Sequence, residues 1–223
     1  MKKRLLKLCE LVEGQVVADI GCDHGFLCEM LIEKGCSQVY ACEVTQKNLE
    51  KAKQNITNYI KRKKVNIENY NDEIIYDGGK VGFILSDGFK NLHILPECAI
   101  IAGMGGDLIL NILFESKEKM PEHLVLQPMS KVDKLRKELS NYYTFVEDKI
   151  LYDCGKFYNV MKLTKGKDNL TDLEIIFGRT NLELLHKDFK DYLTKLKTRI
   201  DNIKTEEYEK LKSQIEKVEE NYE

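Results

Sequence analysis

Little in this chain interrupts or cross-links it. Only 3 of its 223 residues are proline, so helices and strands can run unbroken. Basic residues are not in excess: 35 Lys and Arg against 37 Asp and Glu leave a net charge of -2. That excludes the strongly basic balance of a non-specific nucleic-acid binder, and any contact with a polyanion must use local patches. Two candidates are Lys2, Lys3, Arg4 and Lys7 near the N-terminus and residues 61–64, though each taken alone reads more readily as a solvated face. The seven cysteines, Cys9, Cys22, Cys28, Cys36, Cys42, Cys98 and Cys154, include no C-x-x-C pair and have no histidine cluster beside them. Neither a metal site nor a disulfide framework is expected. No apolar run is long enough to span a bilayer and no signal peptide is recognisable, so a protein of the reducing cytoplasm, without membrane contact, is expected.

What is present is an ordinary globular composition, 43% hydrophobic and 32% charged. The length suits one domain with an appendage. The chain opens on an amphipathic helix, with Leu5, Leu8, Leu11 and Val12 on one face and lysines on the other. From Val16 the period changes. Val16–Ile20 is a short apolar run closed by glycine, and helical spacing follows through Phe26, Leu27, Met30 and Leu31. Gln38–Glu43 repeats the strand and Gln46–Tyr59 the helix. Val81–Leu85 ends at Ser86-Asp87-Gly88, and Cys98–Ala102 ends at Gly103-Met104-Gly105-Gly106 before a helix over Asp107–Phe114. His123–Gln127 reads as a fifth strand, Val132–Leu139 as a helix, and Tyr143–Leu151 with Tyr158–Leu163 as a terminal antiparallel pair. This alternation predicts a mostly parallel sheet covered on both faces. Residues 66–80, rich in Asn and Gly, read as a loop excursion. Beyond Gly166 a stripe through Leu182, Leu185, Phe189, Tyr192, Leu196, Ile200 and Ile203, then another through Tyr208, Leu211, Ile215 and Val218, predicts an antiparallel helical hairpin.

Chemistry is carried at the strand ends. Asp19-Ile20-Gly21-Cys22-Asp23-His24-Gly25 is a strand-to-helix turn in which glycine admits close approach to the backbone. A carboxylate before the first glycine suits a cationic amino group and would repel a pyrophosphate. Glu43, 24 residues further on, ends the second strand, where an acid can accept both hydroxyls of a ribose. Asp87 can accept from an adenine amino group, and Gly88 admits the flat ring. Gly103 and Met104 close the fourth strand. Each feature has a bland alternative, since acids at strand ends cap helices and glycine runs make turns; their joint order is the informative observation.

In these stretches the chain resembles the bacterial tRNA adenine-N1 methyltransferases that modify position 22 of the tRNA core. The matching segments are Ala18-Asp19-Ile20-Gly21-Cys22-Asp23-His24, Asp87-Gly88, Ile101-Ala102-Gly103-Met104-Gly105-Gly106, Leu126-Gln127-Pro128 and Gly155-Lys156-Phe157-Tyr158. Three departures stand out: Phe26 in place of the usual tyrosine, Met129 in place of asparagine, and an insertion at about residues 64–80. The resemblance implies an α/β, Rossmann-like class I methyltransferase sheet over residues 1–165 and a C-terminal coiled-coil helical hairpin over 166–223. It implies S-adenosylmethionine as cofactor, with Asp19, Gly21, Asp23, Glu43, Asp87 and Gly103 at its site and Val44, Gly88 and Met104 adjoining them. Asp23 is a candidate for easing positive charge on the methylated ring and His24 for orienting groups or relaying a proton. Gln127, Pro128 and Tyr158 are substrate-side candidates. Helix capping for Asp23 and a core role for Tyr158 remain open. A tRNA partner and a monomeric state are expected. The alternatives are a methyltransferase of another substrate, a nicotinamide oxidoreductase, disfavoured by Asp19 and by the lack of G-x-G-x-x-G, and a silent RNA-binding homologue.

Overall fold

In the computed structural model, which describes residues 3–201 and 203–220, strand burial follows directly from the apolar runs. Lys2 of the N-terminal patch, and residues 202 and 221–223 of the expected hairpin, lie outside the described residues. The chain runs α1 (Lys3–Leu11), β1 (Val16–Ile20), α2 (Phe26–Lys34), β2 (Gln38–Glu43), α3 (Gln46–Arg62), β3 (Ile67–Asn69), β4 (Glu73–Tyr76) and β5 (Gly79–Leu85). It continues through β6 (Cys98–Met104), α4 (Gly106–Glu115), a short 3-10 turn, β7 (His123–Pro128), α5 (Val132–Leu139), β8 (Tyr143–Asp153) and β9 (Lys156–Lys165). Four helices close it: α6 (Asp172–Phe177), α7 (Arg179–Leu184), α8 (Lys187–Ile200) and α9 (Glu206–Glu219).

The strands form one sheet in the order β3-β4-β5-β2-β1-β6-β7-β9-β8. The five from β5 to β7 are parallel, and the outer pairs on each side are antiparallel. Strand alternation divides the core into two layers. Val17, Val39, Ala41, Ile100 and Val125 face α1, α2 and α3. Ala18, Ile20, Cys42, Ile101 and Leu126 face α4 and α5. Each fully buried Leu or Ile in these layers contributes about 1.5–3 kcal/mol. The chain leaves β1 toward β2 on one side and returns to β6 on the other. The carboxyl ends of β1 and β6 therefore flank the crevice where open sheets of this kind receive ligands.

Two segments differ from the sequence reading. Residues 66–80 are not a loop: β3 and β4 form a hairpin that adds antiparallel strands to the edge of β5, with Ile74 fully buried. Gly79 allows the turn, because a Cβ there would stand 2.1 Å from the Ser37 carbonyl oxygen. The long C-terminal stripe is also divided. Leu185 adopts a left-handed conformation (φ 43°, ψ 38°), and His186 caps a new helix by accepting from the Phe189 amide. The preceding helices dock on β8. Buried Arg136 pairs with Asp148 and donates to the Ile175 and Ile176 carbonyls at 3.1 and 2.8 Å, while Asn181 accepts from the Ile150 amide at 2.8 Å. Against α8, α9 is placed by Ile215 and Val218 in the core shared with Leu193 and Ile200, and by a Lys197–Glu219 ion pair of 2.7 Å.

Candidate active site

The carboxyl ends of β5, β2, β1 and β6 open on a cavity of about 650 Å³, within the ordinary size range of small-molecule sites. Its floor is the turn after β1. The Gly21 and Cys22 amides donate to the Cys42 carbonyl at 2.9 and 3.0 Å, which fastens this turn to β2. Gly21 has a φ of 80°, and a Cβ there would meet the Met104 methyl carbon at 2.3 Å, so the turn is glycine for both reasons. Asp23 follows with φ 48°, and its amide donates to Glu43 Oε2 at 3.1 Å. The other Glu43 oxygen accepts from the Val44 amide at 3.0 Å. The strand-end acid and the turn therefore hold each other in place.

Two buried carboxylates share this floor. Asp19 is 4% exposed and Glu43 6%, and among the described residues neither forms an ion pair. Burial pushes the Asp19 carboxyl up from 3.8 to about 7; the Cys28 thiol, donating at 3.4 Å, pulls it back, and the charge of Glu43 raises it again. A cationic ligand would ionise Asp19 and supply the missing partner. At the β5 end, the Ser86 hydroxyl donates to the Gly88 carbonyl at 2.9 Å and accepts from the Asn91 amide at 3.0 Å, fixing the Asp87-Gly88 corner. Asp87 itself lies in the rim and pairs with Lys90.

Asp19, Gly21, Asp23, His24, Glu43, Val44, Asp87, Gly88, Gly103 and Met104 all line this one cavity. The Nε2 of His24 stands 3.7 Å from Asp23 Oδ2 and 3.4 Å from Lys51 Nζ, and its ring lies 5.7 Å from that of Phe26. Phe26 is 55% exposed and lines the mouth, where Leu108 adds a second apolar wall.

Gln127, Pro128 and Tyr158, the substrate-side candidates, are not among the residues lining this cavity. Gln127 is fully buried because β7 is interior; its Oε1 accepts from Arg4 Nη1 at 2.7 Å, and its Nε2 donates to the Pro128 carbonyl at 3.1 Å. The Tyr158 ring lies 4.9 Å from the Arg4 guanidinium carbon. Gln127 and Tyr158 both contact Arg4, a cavity-lining residue on α1 that sequence patterning places only in a basic patch. Among the described residues no three His, Cys, Asp or Glu side chains come together as metal ligands, and no helix is long and apolar enough to cross a membrane.

Residues 1–161 match the methyltransferase domain family. Over 187 residues the chain is 32% identical to MG248 of Mycoplasma genitalium, a candidate tRNA methyltransferase, covering 80% of this chain and 77% of that protein. It is 32% identical over 172 residues to the tRNA (adenine(22)-N(1))-methyltransferase of Bacillus subtilis, covering 74% of this chain and 66% of that one. Among solved structures, the candidate tRNA (m1A22) methyltransferase Sp1610 of Streptococcus pneumoniae, in complex with S-adenosyl-L-methionine, superposes with a TM-score of 0.81 at 26% identity, covering 98% of this chain and 97% of that one. The sheet and its covering helices are accordingly a Rossmann-like methyltransferase fold.

Proposed function

The chain belongs to the methyltransferase domain family, and from that premise we propose that it transfers the methyl group of S-adenosylmethionine to N1 of adenine 22 in tRNA. The observation that carries this reading is the pair of buried acids, Asp19 and Glu43, facing one cavity without a cationic partner among the described residues. The residues present fit the cofactor in order. Asp87 and Gly88 on β5 would receive adenine, Glu43 on β2 the ribose hydroxyls, and Asp19 on β1 the ammonium. The similarity to the Bacillus subtilis enzyme supports the choice of substrate.

When bound, S-adenosylmethionine supplies an electrophilic methyl on a cationic sulfur, which an adenine N1 lone pair can receive without first losing a proton. The protein's task is therefore positioning and charge. Fixing two reactants in line supplies a large part of the rate enhancement. Phe26 offers an exposed ring at the mouth for stacking an unstacked adenine. Asp23, on the rim, would offer a carboxylate to the positive charge that develops on the ring, and His24, 3.7 Å from it, would orient that carboxylate. Residues 1–165 would form the transfer domain, and the appendage 166–223, with the basic N-terminal helix, would grip the tRNA. We read the protein as a monomer of the cytoplasm, in keeping with seven free cysteines.

The test is incubation with labelled S-adenosylmethionine and unmodified tRNA transcripts carrying A22 or G22. N1-methyladenosine forming only on the A22 transcript is the expected result. Label on G22 transcripts would indicate another target, and cofactor binding without turnover on any tRNA would indicate a silent homologue; either would displace this reading.

A further inference from the structure

The cavity is electrostatically lopsided. Asp19, Asp23, Glu43 and Asp87 line it, and Arg4 is the one Lys or Arg side chain among the described lining residues. Taking the cavity as the S-adenosylmethionine site, as proposed above, the acids account for the adenine, the ribose and the ammonium. The cofactor also carries an α-carboxylate, which each of those acids repels. One guanidinium is available to offset that repulsion.

Strand order says where it stands. Along the cavity the groups follow as Asp87 on β5, Glu43 on β2, Asp19 on β1, then Gly103 and Met104 on β6. Neighbouring strands are spaced by about 4.8 Å, so this row runs for about the length of an extended adenosylmethionine, with the amino-acid end toward β6. Gln127 is the register partner of Ala102 on the next strand, β7, and it is Gln127 that holds Arg4. Arg4 thus stands at the methionyl end of the row.

Its side chain is held from two sides and its main chain by a third contact. Gln127 Oε1 takes one N–H at 2.7 Å, and the Tyr158 ring supports the guanidinium at 4.9 Å. The Arg4 amide donates to Asp153 Oδ2 at 3.1 Å, fastening the first turn of α1 to the β8–β9 hairpin. Guanidinium offers five donors in a planar fork that matches a carboxylate, and among the described residues only one of the five has a hydrogen-bond acceptor. We propose that Arg4, oriented by Gln127 and Tyr158, receives the α-carboxylate of S-adenosylmethionine, so that the N-terminal helix completes the cofactor site.

Decarboxylated S-adenosylmethionine isolates this contact, because it keeps the adenosine, the sulfonium and the ammonium and lacks only the carboxylate. Titration calorimetry of the full chain should find S-adenosylmethionine bound about 10- to 100-fold more tightly than the decarboxylated compound, the range of a charge-assisted hydrogen bond. In Arg4→Gln that preference should vanish through weaker binding of S-adenosylmethionine alone, with the affinity for the decarboxylated compound unchanged, which also shows that the variant is folded. Arg4→Lys should fall between. An equal loss for both compounds in both variants would overturn the proposal in favour of a purely structural arginine. Unchanged S-adenosylmethionine affinity with a raised KM for tRNA would overturn it in favour of an RNA contact. If the wild-type protein bound neither compound, the cofactor reading itself would fail and the proposal with it.

Discussion

The main-chain amide of Asp23 donates to Glu43 Oε2 at 3.1 Å, joining the turn after β1 to the acid that ends β2. Glu43 therefore both shapes the site and contributes an acceptor to it. Glu43→Ala should weaken S-adenosylmethionine binding by about 10- to 100-fold, the value of a charge-assisted hydrogen bond to the ribose plus some loosening of the turn. Glu43→Gln, which keeps one acceptor oxygen, should lose less. Calorimetric titration of the two variants beside wild type checks the order.

Asp19 makes cofactor affinity depend on pH. Its carboxyl is pushed up to about 7 by burial, and a cationic ammonium selects the ionised form. Below pH 7 each binding event must release a proton, so affinity should rise about tenfold per pH unit up to about 7 and level off above. A binding constant flat between pH 5.5 and 7 would contradict this.

The same group sets a stability trend in the free protein. Its folded pKa lies above its unfolded value, so the folded state holds the extra proton between about pH 4 and 7, and stability falls as pH rises through that window. The shift from 3.8 to about 7 corresponds to at most about 4 kcal/mol. Asp19→Asn should therefore raise the thermal midpoint of the ligand-free protein at pH 8, leave it nearly unchanged at pH 4, and weaken cofactor binding. A variant less stable than wild type at pH 8 would show that Asp19 is not strained by burial.

Buried Arg136 and Asp148 are joined at 2.6 and 3.0 Å, and Arg136 also binds the carbonyls at the end of α6. Asp148→Asn leaves a buried cation without its counter-charge and should cost about 3–5 kcal/mol in urea unfolding. Replacing both residues by apolar ones of similar volume should recover part of that loss.

The turn after β1, the strands β1 and β2, and the acids at their ends were legible in the sequence because each rests on a local signal: an apolar run closed by glycine, then a carboxylate. The β3–β4 hairpin was not. Its strands are three and four residues long and sit among Asn and Asp, and they exist because Ile74 is buried at the sheet edge, a tertiary effect. The break at Leu185 has no glycine to announce it. Arg4 could be read as a charge but not as a site residue, because its place depends on Gln127, 123 residues away, and on Tyr158.

At the cavity mouth, Phe26 tests the substrate side. It is exposed and does not belong to the row of acids. Phe26→Ala should lower kcat/KM for tRNA by about 5- to 150-fold, the value of one base–aromatic stack, with S-adenosylmethionine affinity within a factor of about two of wild type. Equal losses in both would place the ring in the cofactor site instead.

That Asp19 and Glu43 form the floor of an S-adenosylmethionine site is tested most directly by calorimetric titration of the wild-type protein at pH 8 with that compound, beside the double variant Asp19→Ala with Glu43→Ala. One site per chain in the wild type, and no measurable binding in the double variant, is the predicted result. Absence of binding to the wild type, or unaltered binding to the double variant, would contradict it.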